Sequence, residues 1–548
     1  MRRILSLDAL AVAVLASAAA AAAATFRDYG LGWDDYAHAQ YGDLLLSLYR
    51  SGFADRRALS FVNLYMYGGG FDLLAALFGK RLPFDLFETR RLMGAAVGLV
   101  GLFVTWRLGR RLGGPLAGLI ALLLLATCPL YYGHIFMNTK DAPFAVAMAI
   151  ALLGIVRAIE EYPFPQPPTI ALCGIGFGLA LGSRVIGGFA VINAAASLAL
   201  IVVLKSRQDG IRPALRDAAD FLKPFIPGAI LAYLVMGLVW PWSVVSPLNP
   251  FRAIEYFSNF FFFERPWREL FDGRFVLVTN MPRSYLPTLM ALTLPEIMLA
   301  LGLCGILGAS IMIARGELGR RGALATRRAA LLAVTLAAAL PVLVAVATRP
   351  AMYNGIRHFV FLTPPLAGLG GLAAAWIAQR LRALGGLATV AGALFLIVSL
   401  TSPAIDMAQL HPYEYTGFNH IAGGVAGARS RYVLDYWGLS IRQASLKLHT
   451  LLERHGEKPR GEKWTVVVCG AHPAAVVASS PQFSAVWEPK DADFAITVGE
   501  SYYCAKLDAP VLVEIKRKGV VYARVYDIRG RSISSLLIVH GPDAEPGD

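Results

Sequence analysis

Two adjacent carboxylates, Asp34 and Asp35, follow directly after the first apolar stretch of the chain, within the segment LGWDDYAHAQYG. Neighbouring carboxylates repel each other, so such a pair is expected in water or beside a group that needs a base or a cation. A carboxylate that substrate can reach accepts the proton of a hydroxyl group. The pair is therefore a candidate catalytic site, and the alternative is an ordinary solvated loop.

Other polar residues are expected at the same face of the protein, although they come from distant parts of the chain. They are His38, Asn138, Lys140, Asp141, Arg184, Arg349, Tyr353, Asn354, Arg357 and His358. Lysine and arginine bind phosphate and stabilise the charge that a phosphate gains on leaving. Carboxylates beside such cations suit a reaction between a hydroxyl and an anionic lipid. The alternative for each cation is a side chain that only extends to the lipid headgroups.

The composition shows which kind of protein must position these residues. Of 548 residues, 56% are hydrophobic and 16% are charged, whereas a soluble domain carries about 25% charged residues. The sequence therefore predicts an integral membrane protein. The net charge of +14 is not interpreted as a nucleic-acid signal, because basic residues of membrane proteins collect in cytoplasmic loops.

Apolar stretches of suitable length predict about eleven transmembrane helices. Their expected positions are 4–24, 92–108, 114–133, 142–158, 169–183, 185–204, 224–240, 289–313, 329–347, 359–377 and 383–402. With the N-terminus inside, the large basic clusters near 107–111, 205–223 and 315–328 fall in inside loops. This asymmetry supports the topology and places the carboxylate pair outside.

Two segments have alternative interpretations. The first apolar run resembles either a cleavable signal peptide or an uncleaved helix, and the uncleaved helix is favoured. Residues 59–78 are long enough to cross, but a crossing there would turn the basic loops outward. We therefore interpret 59–78 as an interfacial or re-entrant part of a first outside loop, 25–91.

The remaining chain divides into a second long outside loop, 241–288, and a C-terminal region. The loop is rich in aromatic residues, which favour the headgroup level, and it is a candidate cover for the site. The domains are predicted as 1–402 in the membrane and 403–548 as a small extracytoplasmic α/β domain. That domain is expected to contain strands at WTVVVCG and DFAITVG, a hairpin turning at Lys518-Gly519, and a helix that ends near Gly456. A Cys469–Cys504 disulfide is possible in an extracytoplasmic domain.

In these features the sequence resembles the GT-C glycosyltransferases, above all glycosyltransferase family 39, which includes protein O-mannosyltransferases and lipid A aminoarabinose transferases. WDDYAHAQYG stands where the family carries an Asp-Glu pair, so Asp35 replaces a glutamate. NLYMYGGGFDLLAAL, MNTKDAPFAVAM and NGIRHFVFLTPPLAGL resemble later family segments, with Thr139 in place of a proline. The resemblance covers most of residues 1–440 and rests on the order and spacing of the motifs together.

The resemblance implies a fold and a reaction. The fold would be GT-C-like, and the protein would lie in the bacterial inner membrane with its site and C-terminal domain in the periplasm. A sugar would move, with inversion, from a polyprenyl-phosphate donor to a lipid, glycan or protein acceptor. Asp34 would be the base and Asp35 would orient the acceptor or tune Asp34. The substrate-binding candidates are His38, Lys140, Asp141, Arg184, Arg357 and His358, and neither a metal nor another cofactor is expected.

Two rival functions fit parts of the pattern. A transporter or flippase of a polyprenyl-linked glycan would also have many spans and outside cations, but transporters place polar residues near the bilayer midplane. A receptor-like or scaffold protein would leave the polar cluster without a role. The glycosyltransferase is the favoured hypothesis.

Overall fold

The computed structural model describes residues 2–79, 81–263, 267–315, 323–459, 461–469, 476, 481–499 and 506–536. Most of the apolar stretches form helices, because backbone groups without water must bond to one another. In chain order the helices are α1 (Arg2–Thr25), α2 (Asp35–Arg50), α3 (Gly70–Gly79), α4 (Leu86–Ala126), α5 (Pro129–Met137), α6 (Asp141–Glu160), α7 (Pro167–Ser183), α8 (Gly188–Asp209), α9 (Ile211–Leu222), α10 (Ile226–Val239), α11 (Trp242–Val245), α12 (Asn249–Phe263), α13 (Tyr285–Thr293), α14 (Glu296–Arg315), α15 (Ala323–Thr348), α16 (Thr363–Leu384), α17 (Gly386–Leu410), α18 (Gly424–Ala428), α19 (Ser440–Arg454) and α20 (Ile533–Leu536).

The number of membrane-crossing helices agrees with the sequence prediction. Within the described ranges, nine helical stretches are long and apolar enough to cross a membrane, and one of them is α4. Helix α4 is kinked at Gly113 and Gly114, where the backbone leaves helical geometry. The short arm after the kink, 115–126, is continued by α5, and counting this segment and the 17-residue α7 as further crossings gives eleven. The prediction of a polytopic helical membrane protein is confirmed.

Two predicted spans are wrong in their bounds. Residues 114–133 were expected to form a single helix, but α4 ends at Ala126 and α5 begins at Pro129. Residues 289–313 were expected to form a single helix, but α13 ends at Thr293 and α14 begins at Glu296. Leu294 is extended, with ψ 144°, because Pro295 lacks an N–H and disfavours helical geometry in the residue before it. The crossing helix is therefore α14.

Residues 59–78 do not cross the membrane as a helix. Their helical part, α3, has 10 residues, and a membrane crossing needs about 20. The assignment of 59–78 to the first outside loop stays a prediction. Helix α3 instead packs against α2 and α4.

The most deeply buried membrane helices are α6 and α16, whereas α1, α10 and α17 lie at the periphery. Helix α16 packs along α4 and α14, and α6 packs between α4, α7 and α15. Asp141 is the first residue of α6, and Arg357 lies in the short 3₁₀ helix Arg357–Leu362 that leads into α16. Candidate site residues therefore stand at the first position of α6 and in the 3₁₀ helix that leads into α16.

The C-terminal region contains a five-stranded mixed sheet in the order β4-β3-β5-β7-β6. A separate hairpin of β1 (Arg268–Phe271) and β2 (Arg274–Leu277) lies within residues 241–288, the segment predicted as the second outside loop. The sheet strands are β3 (Trp464–Cys469), β4 (Phe483–Val486), β5 (Phe494–Val498), β6 (Val511–Arg517) and β7 (Val520–Asp527). Strand β3 runs parallel to β4 and β5, and β7 runs antiparallel to β5 and β6.

The predicted C-terminal elements are confirmed. Lys518 and Gly519 form the two-residue turn of the β6–β7 hairpin, and both have positive φ, as a type I′ turn requires. Helix α19 ends at Arg454 and Gly456 follows with φ +63°. The predicted boundary at residue 402 falls inside α17, and the division into two domains stays a prediction. The Cys469–Cys504 disulfide also stays a prediction, because Cys504 lies outside the described residues.

The kink of α4 generates a prediction about stability. Gly114 has φ +81°, and no atom lies within 4 Å of a Cβ built there. With ψ −170°, Gly114 has a backbone conformation that is essentially restricted to glycine, so the Gly114→Ala variant should lose about 1–3 kcal/mol through backbone conformation alone, seen as a lower thermal unfolding midpoint in detergent. Gly188→Ala is the matched control, because that site is equally open but lies in helical geometry with φ −53°. An equal effect of both variants would contradict this account of the kink.

Candidate active site

Asp34 is the accessible member of the acidic pair. It lies in the turn before α2, and its side chain is 40% exposed. Its Oδ2 lies 3.1 Å from Nζ of Lys140, the residue that precedes α6. An accessible carboxylate beside a cation is placed to accept the proton of an incoming hydroxyl.

Asp35, by contrast, is buried and fully engaged. Its side chain is 1% exposed and forms a two-pronged ion pair with Arg91, whose Nη1 donates to Oδ1 at 2.9 Å. The N–H of Gly32 donates to Oδ2 at 2.7 Å, and Nη2 of Arg91 donates to the carbonyl of Gly30 at 2.6 Å. Because Arg91 lies near the beginning of α4, this pair fastens the loop that carries Asp34 to the helix bundle.

His38 takes part in a second buried group. Its Nδ1 lies 2.6 Å from Oδ2 of Asp72 on α3, and Arg90 of α4 donates to Oδ1 of the same carboxylate. All three side chains are almost completely buried. The group joins α2, α3 and α4 and leaves His38 almost completely buried.

Two cations from different segments lie against one aromatic ring. Nζ of Lys140 lies 5.1 Å from the ring centre of Tyr67, and the guanidinium of Arg184 lies 5.6 Å from it. Both distances suit a cation–π interaction. The ring of Tyr67 also packs at 4.1 Å on Phe257 of α12, so the second outside loop contacts the site.

Asp141 is the buried carboxylate that holds the other cations. Its Oδ1 lies 2.5 Å from Nη2 of Arg184, and its Oδ2 lies 3.8 Å from Nη1 of Arg357. Asn138 donates to Oδ2 at 2.8 Å through Nδ2, while its own Oδ1 accepts the N–H groups of Lys140 and Asp141. The positive end of the α6 dipole also favours a carboxylate at this position.

Arg357 lies between two aromatic rings. Its guanidinium carbon is 4.8 Å from the ring centres of both Tyr353 and Trp437. The side chain is buried, its Nε has no hydrogen-bond partner among the described residues, and its Nη1 has only the long contact with Asp141. His358 packs edge-on against Tyr353 at 5.0 Å. Unsatisfied buried donors on a cation indicate a place for an anionic ligand.

The surroundings of Asp34 keep it ionised. Burial acts to raise the pKa of its carboxyl, but Lys140, His38 and Arg357 outweigh this and hold the pKa below the usual range for aspartate. Asp34 is therefore a carboxylate over the whole physiological pH range.

The structure thus brings together most of the residues that the sequence singled out. Asp34, Lys140, Asp141, Arg184, Arg357 and His358 gather around Tyr67 and Tyr353. Asp35 and His38 lie in the two buried groups beside them. The catalytic and binding roles of all eight stay predictions.

Sequence reasoning missed several contributors to the site. They are Tyr67, Asp72, Arg90, Arg91, Tyr353 as a ring partner of Arg357, and Trp437. One signal was present: Arg90 and Arg91 stand at the end of a span that is predicted to face outside, where the positive-inside rule disfavours basic residues. Such a pair is expected to have a buried carboxylate partner. No local sequence pattern indicates that Trp437 contributes to the site, because it lies in residues 403–548, which are predicted to form a separate domain.

Part of the chain matches a known protein family. Residues 72–212 match a family model described as dolichyl-phosphate-mannose-protein mannosyltransferase. The resemblance to the GT-C glycosyltransferases is confirmed. The matched segment of this GT-C-like protein contains Asp72, Arg90, Arg91, Lys140 and Arg184. A search of the curated proteins finds no match.

Several solved structures are similar to the chain. The oligosaccharyltransferase of Archaeoglobus fulgidus in its apo form is 14% identical, with a TM-score of 0.48, over 88% of this chain. The chain spans 65% of that enzyme's length. AglB from the same organism, in complex with an inhibitory peptide and a dolichol-phosphate, is 12% identical with a TM-score of 0.49, over 89% of this chain and 69% of its own. ArnT from Cupriavidus metallidurans bound to undecaprenyl phosphate is 16% identical with a TM-score of 0.42, over 95% of this chain and 97% of its own.

The buried pair of Asp35 and Arg91 predicts a large effect on stability. Arg91→Met leaves the Asp35 carboxylate buried without its partner, which should cost about 3–5 kcal/mol. Arg91→Met combined with Asp35→Asn should recover part of that loss, because the uncompensated charge is gone. Thermal unfolding in detergent measures both.

Arg57→Met serves as the control for this pair, since Arg57 bonds Asp55 in an exposed part of the same outside loop. It should leave the unfolding midpoint unchanged. If the Arg91 variant behaves like the Arg57 variant, the Asp35–Arg91 pair does not fasten the loop.

Proposed function

We propose that the protein is an integral-membrane glycosyltransferase. It moves a sugar from a polyprenyl-phosphate donor to a lipid, glycan or protein acceptor of the cell envelope, on the periplasmic side of the bacterial inner membrane. The observation that carries the proposal is the convergence of an accessible carboxylate, Asp34, with three cations from separate segments, Lys140, Arg184 and Arg357. The family match supports the same class of reaction.

The charge of the cluster supports a lipid phosphate as ligand. Asp34 and Asp141 supply two negative charges, and the three cations exceed them by one. A phosphodiester that links a sugar to a polyprenol carries a single negative charge and would balance the excess. When the sugar leaves, the phosphate gains a second charge, which nearby arginines stabilise in the transition state.

The proposed reaction is one in-line displacement. The acceptor hydroxyl oxygen forms a bond to the anomeric carbon while the bond from that carbon to the phosphate oxygen breaks. The electron pair of that bond stays on the phosphate, and the hydroxyl proton passes to Asp34. The product carries the inverted anomeric configuration. Asp35 acts by fixing the loop through Arg91, and Lys140, Arg184 and Arg357 supply positive charge without a metal or another cofactor.

An apolar cavity supports a donor with a long hydrocarbon tail. It has a volume of about 680 Å³ and lies between α7, α8 and α10, with Leu181, Val191 and Met236 among its lining residues. Leu181 stands three residues before Arg184 on α7. A phosphate at Arg184 would therefore have an apolar space beside it for the adjoining prenyl units.

The placement of the charges favours a transferase over a flippase. Asp141 begins α6, Arg184 directly follows α7, and Arg357 precedes α16. These are helix ends, whereas a carrier binds its substrate near the bilayer midplane between broken helices.

Replacing the proposed base should abolish transfer. Asp34→Asn keeps the size of the side chain but cannot accept the proton, so activity should fall by about 10²- to 10⁴-fold while the thermal unfolding midpoint stays close to that of the wild type. Mass spectrometry of envelope glycolipids and glycoproteins, with and without the gene, identifies the sugar and acceptor for the assay. Asp43→Asn, an exposed carboxylate on α2, is the matched control. Full activity in Asp34→Asn would exclude Asp34 as the base.

The pH profile tests the influence of Lys140 on Asp34. Lys140 lowers the pKa of Asp34, so Lys140→Met should raise that pKa and move the acid limb of the kcat/KM profile to higher pH. Activity would then be lost earlier as the pH falls, because the base must be ionised. Lys447→Met, on the exposed face of α19, should leave the limb in place. An acid limb unmoved by Lys140→Met would show that another group titrates.

A further inference from the structure

Trp437 belongs to the C-terminal region but lies inside the candidate active site. It is 3% exposed and stands in the turn between Asp435 and α19. The Asp435 carboxylate accepts the N–H groups of Gly438, Leu439 and Ser440, each at 3.0 Å. This network fixes the backbone that carries the indole ring.

The guanidinium group of Arg357 lies over the face of the indole ring of Trp437. The guanidinium carbon lies 4.8 Å from the ring centre of Trp437, and Tyr353 contacts the same guanidinium at the same distance. A guanidinium that stacks on aromatic rings keeps its N–H groups in the plane of the group, where a ligand can accept them. The Nε of Arg357 has no partner among the described residues, which fits a donor reserved for a ligand.

The edge of the same indole touches the loop of Asp34. A Cβ built on Gly32 would lie 1.7 Å from Cδ1 and 2.0 Å from Nε1 of Trp437, so the ring lies directly against the Gly32 backbone. Gly32 stands two residues before Asp34, and its N–H donates to Asp35. Trp437 is therefore in contact with both the loop of the proposed base and the proposed phosphate-binding cation.

We infer that Trp437 is a positioning residue that sets the place of Arg357 relative to Asp34, so that the C-terminal region completes the active site. This inference rests on the proposed function, since it assumes that Arg357 binds the donor phosphate. Ser440, at the start of α19, donates from its hydroxyl to the carbonyl of Tyr522 on β7 at 3.2 Å. The turn of Trp437 is thereby connected to the five-stranded sheet.

The test measures the affinity of the full-length protein in lipid nanodiscs for undecaprenyl phosphate, together with the thermal unfolding midpoint. Trp437→Leu should weaken binding about thirtyfold, which is the size of a desolvated cation–π contact. Trp437→Phe keeps a ring beneath Arg357 and should weaken binding only two- to threefold, in keeping with the weaker cation–π attraction of phenylalanine.

Trp464→Leu is the matched control. Trp464 is also 3% exposed, contacts an arginine, Arg529, at 5.6 Å, and lies on β3 of the same region. It should lower the unfolding midpoint and leave the affinity unchanged.

The outcomes separate the inference from the proposed function. A wild-type protein that does not bind undecaprenyl phosphate would contradict the proposed donor and the inference together. Wild-type binding with unchanged affinity in Trp437→Leu, or with equal losses in Trp437→Leu and Trp464→Leu, would overturn the inference alone. If Trp437→Leu does not fold, Trp437→Phe decides, and an affinity equal to that of the wild type would count against a positioning role.

Discussion

The buried carboxylate of Asp141 is the interaction on which the site depends. It pairs with Arg184, which follows α7, and faces Arg357, which precedes α16. Two cations in a protein interior repel each other strongly, because little water is present to screen them. Because the Asp141 carboxylate lies between the two arginines, the segments that carry Asp141, Arg184 and Arg357 can meet at one site.

The single carboxylate of Asp141 does not fully neutralise Arg184 and Arg357. The cluster can therefore still bind an anion. Asp141 lies 3.8 Å from Nη1 of Arg357, and neither Nη1 nor Nε of Arg357 has a hydrogen-bond partner among the described residues. Lys140 pairs with the half-exposed Asp34 rather than with a buried group. An anion that enters the site can therefore collect donors without first breaking a buried ion pair, which would be costly.

The two carboxylates of the acidic pair, Asp34 and Asp35, have different surroundings. Asp35 and Arg91 form a buried unit, and Asp72 forms another with Arg90 and His38. Buried ion pairs add little net stability but penalise any arrangement that separates the partners. The two units therefore fix the loop before α2 and leave Asp34 as the carboxylate that faces solvent.

Much of this could be predicted from sequence, and the exceptions have physical causes. The membrane helices followed from the length of the apolar stretches, whereas the side of the membrane on which Asp34 lies stays a prediction. Pro295 indicates a helix break in the sequence, but the long apolar run around it favoured the prediction of one continuous span. Arg90 and Arg91 were passed over because a positive charge at a span end usually reaches the headgroups, and only the fold shows that these two point to buried carboxylates.

The part played by Trp437 could not be predicted, because it depends on how residues 411–439 pack against the membrane helices. His134 of α5 bonds Tyr436, and Tyr29 of the first outside loop donates to Glu414. These contacts join positions more than 300 residues apart. No local periodicity or turn signal encodes such a separation, so the C-terminal region was expected to be a separate domain.

The most direct test of the central claim is an electron cryomicroscopy structure of the protein with undecaprenyl phosphate. The account predicts phosphate density within about 3 Å of the guanidinium nitrogens of Arg357 and Arg184, on the side of the site that Asp34 faces. Phosphate density away from both arginines, with the Asp34 side chain turned from it, would contradict the account.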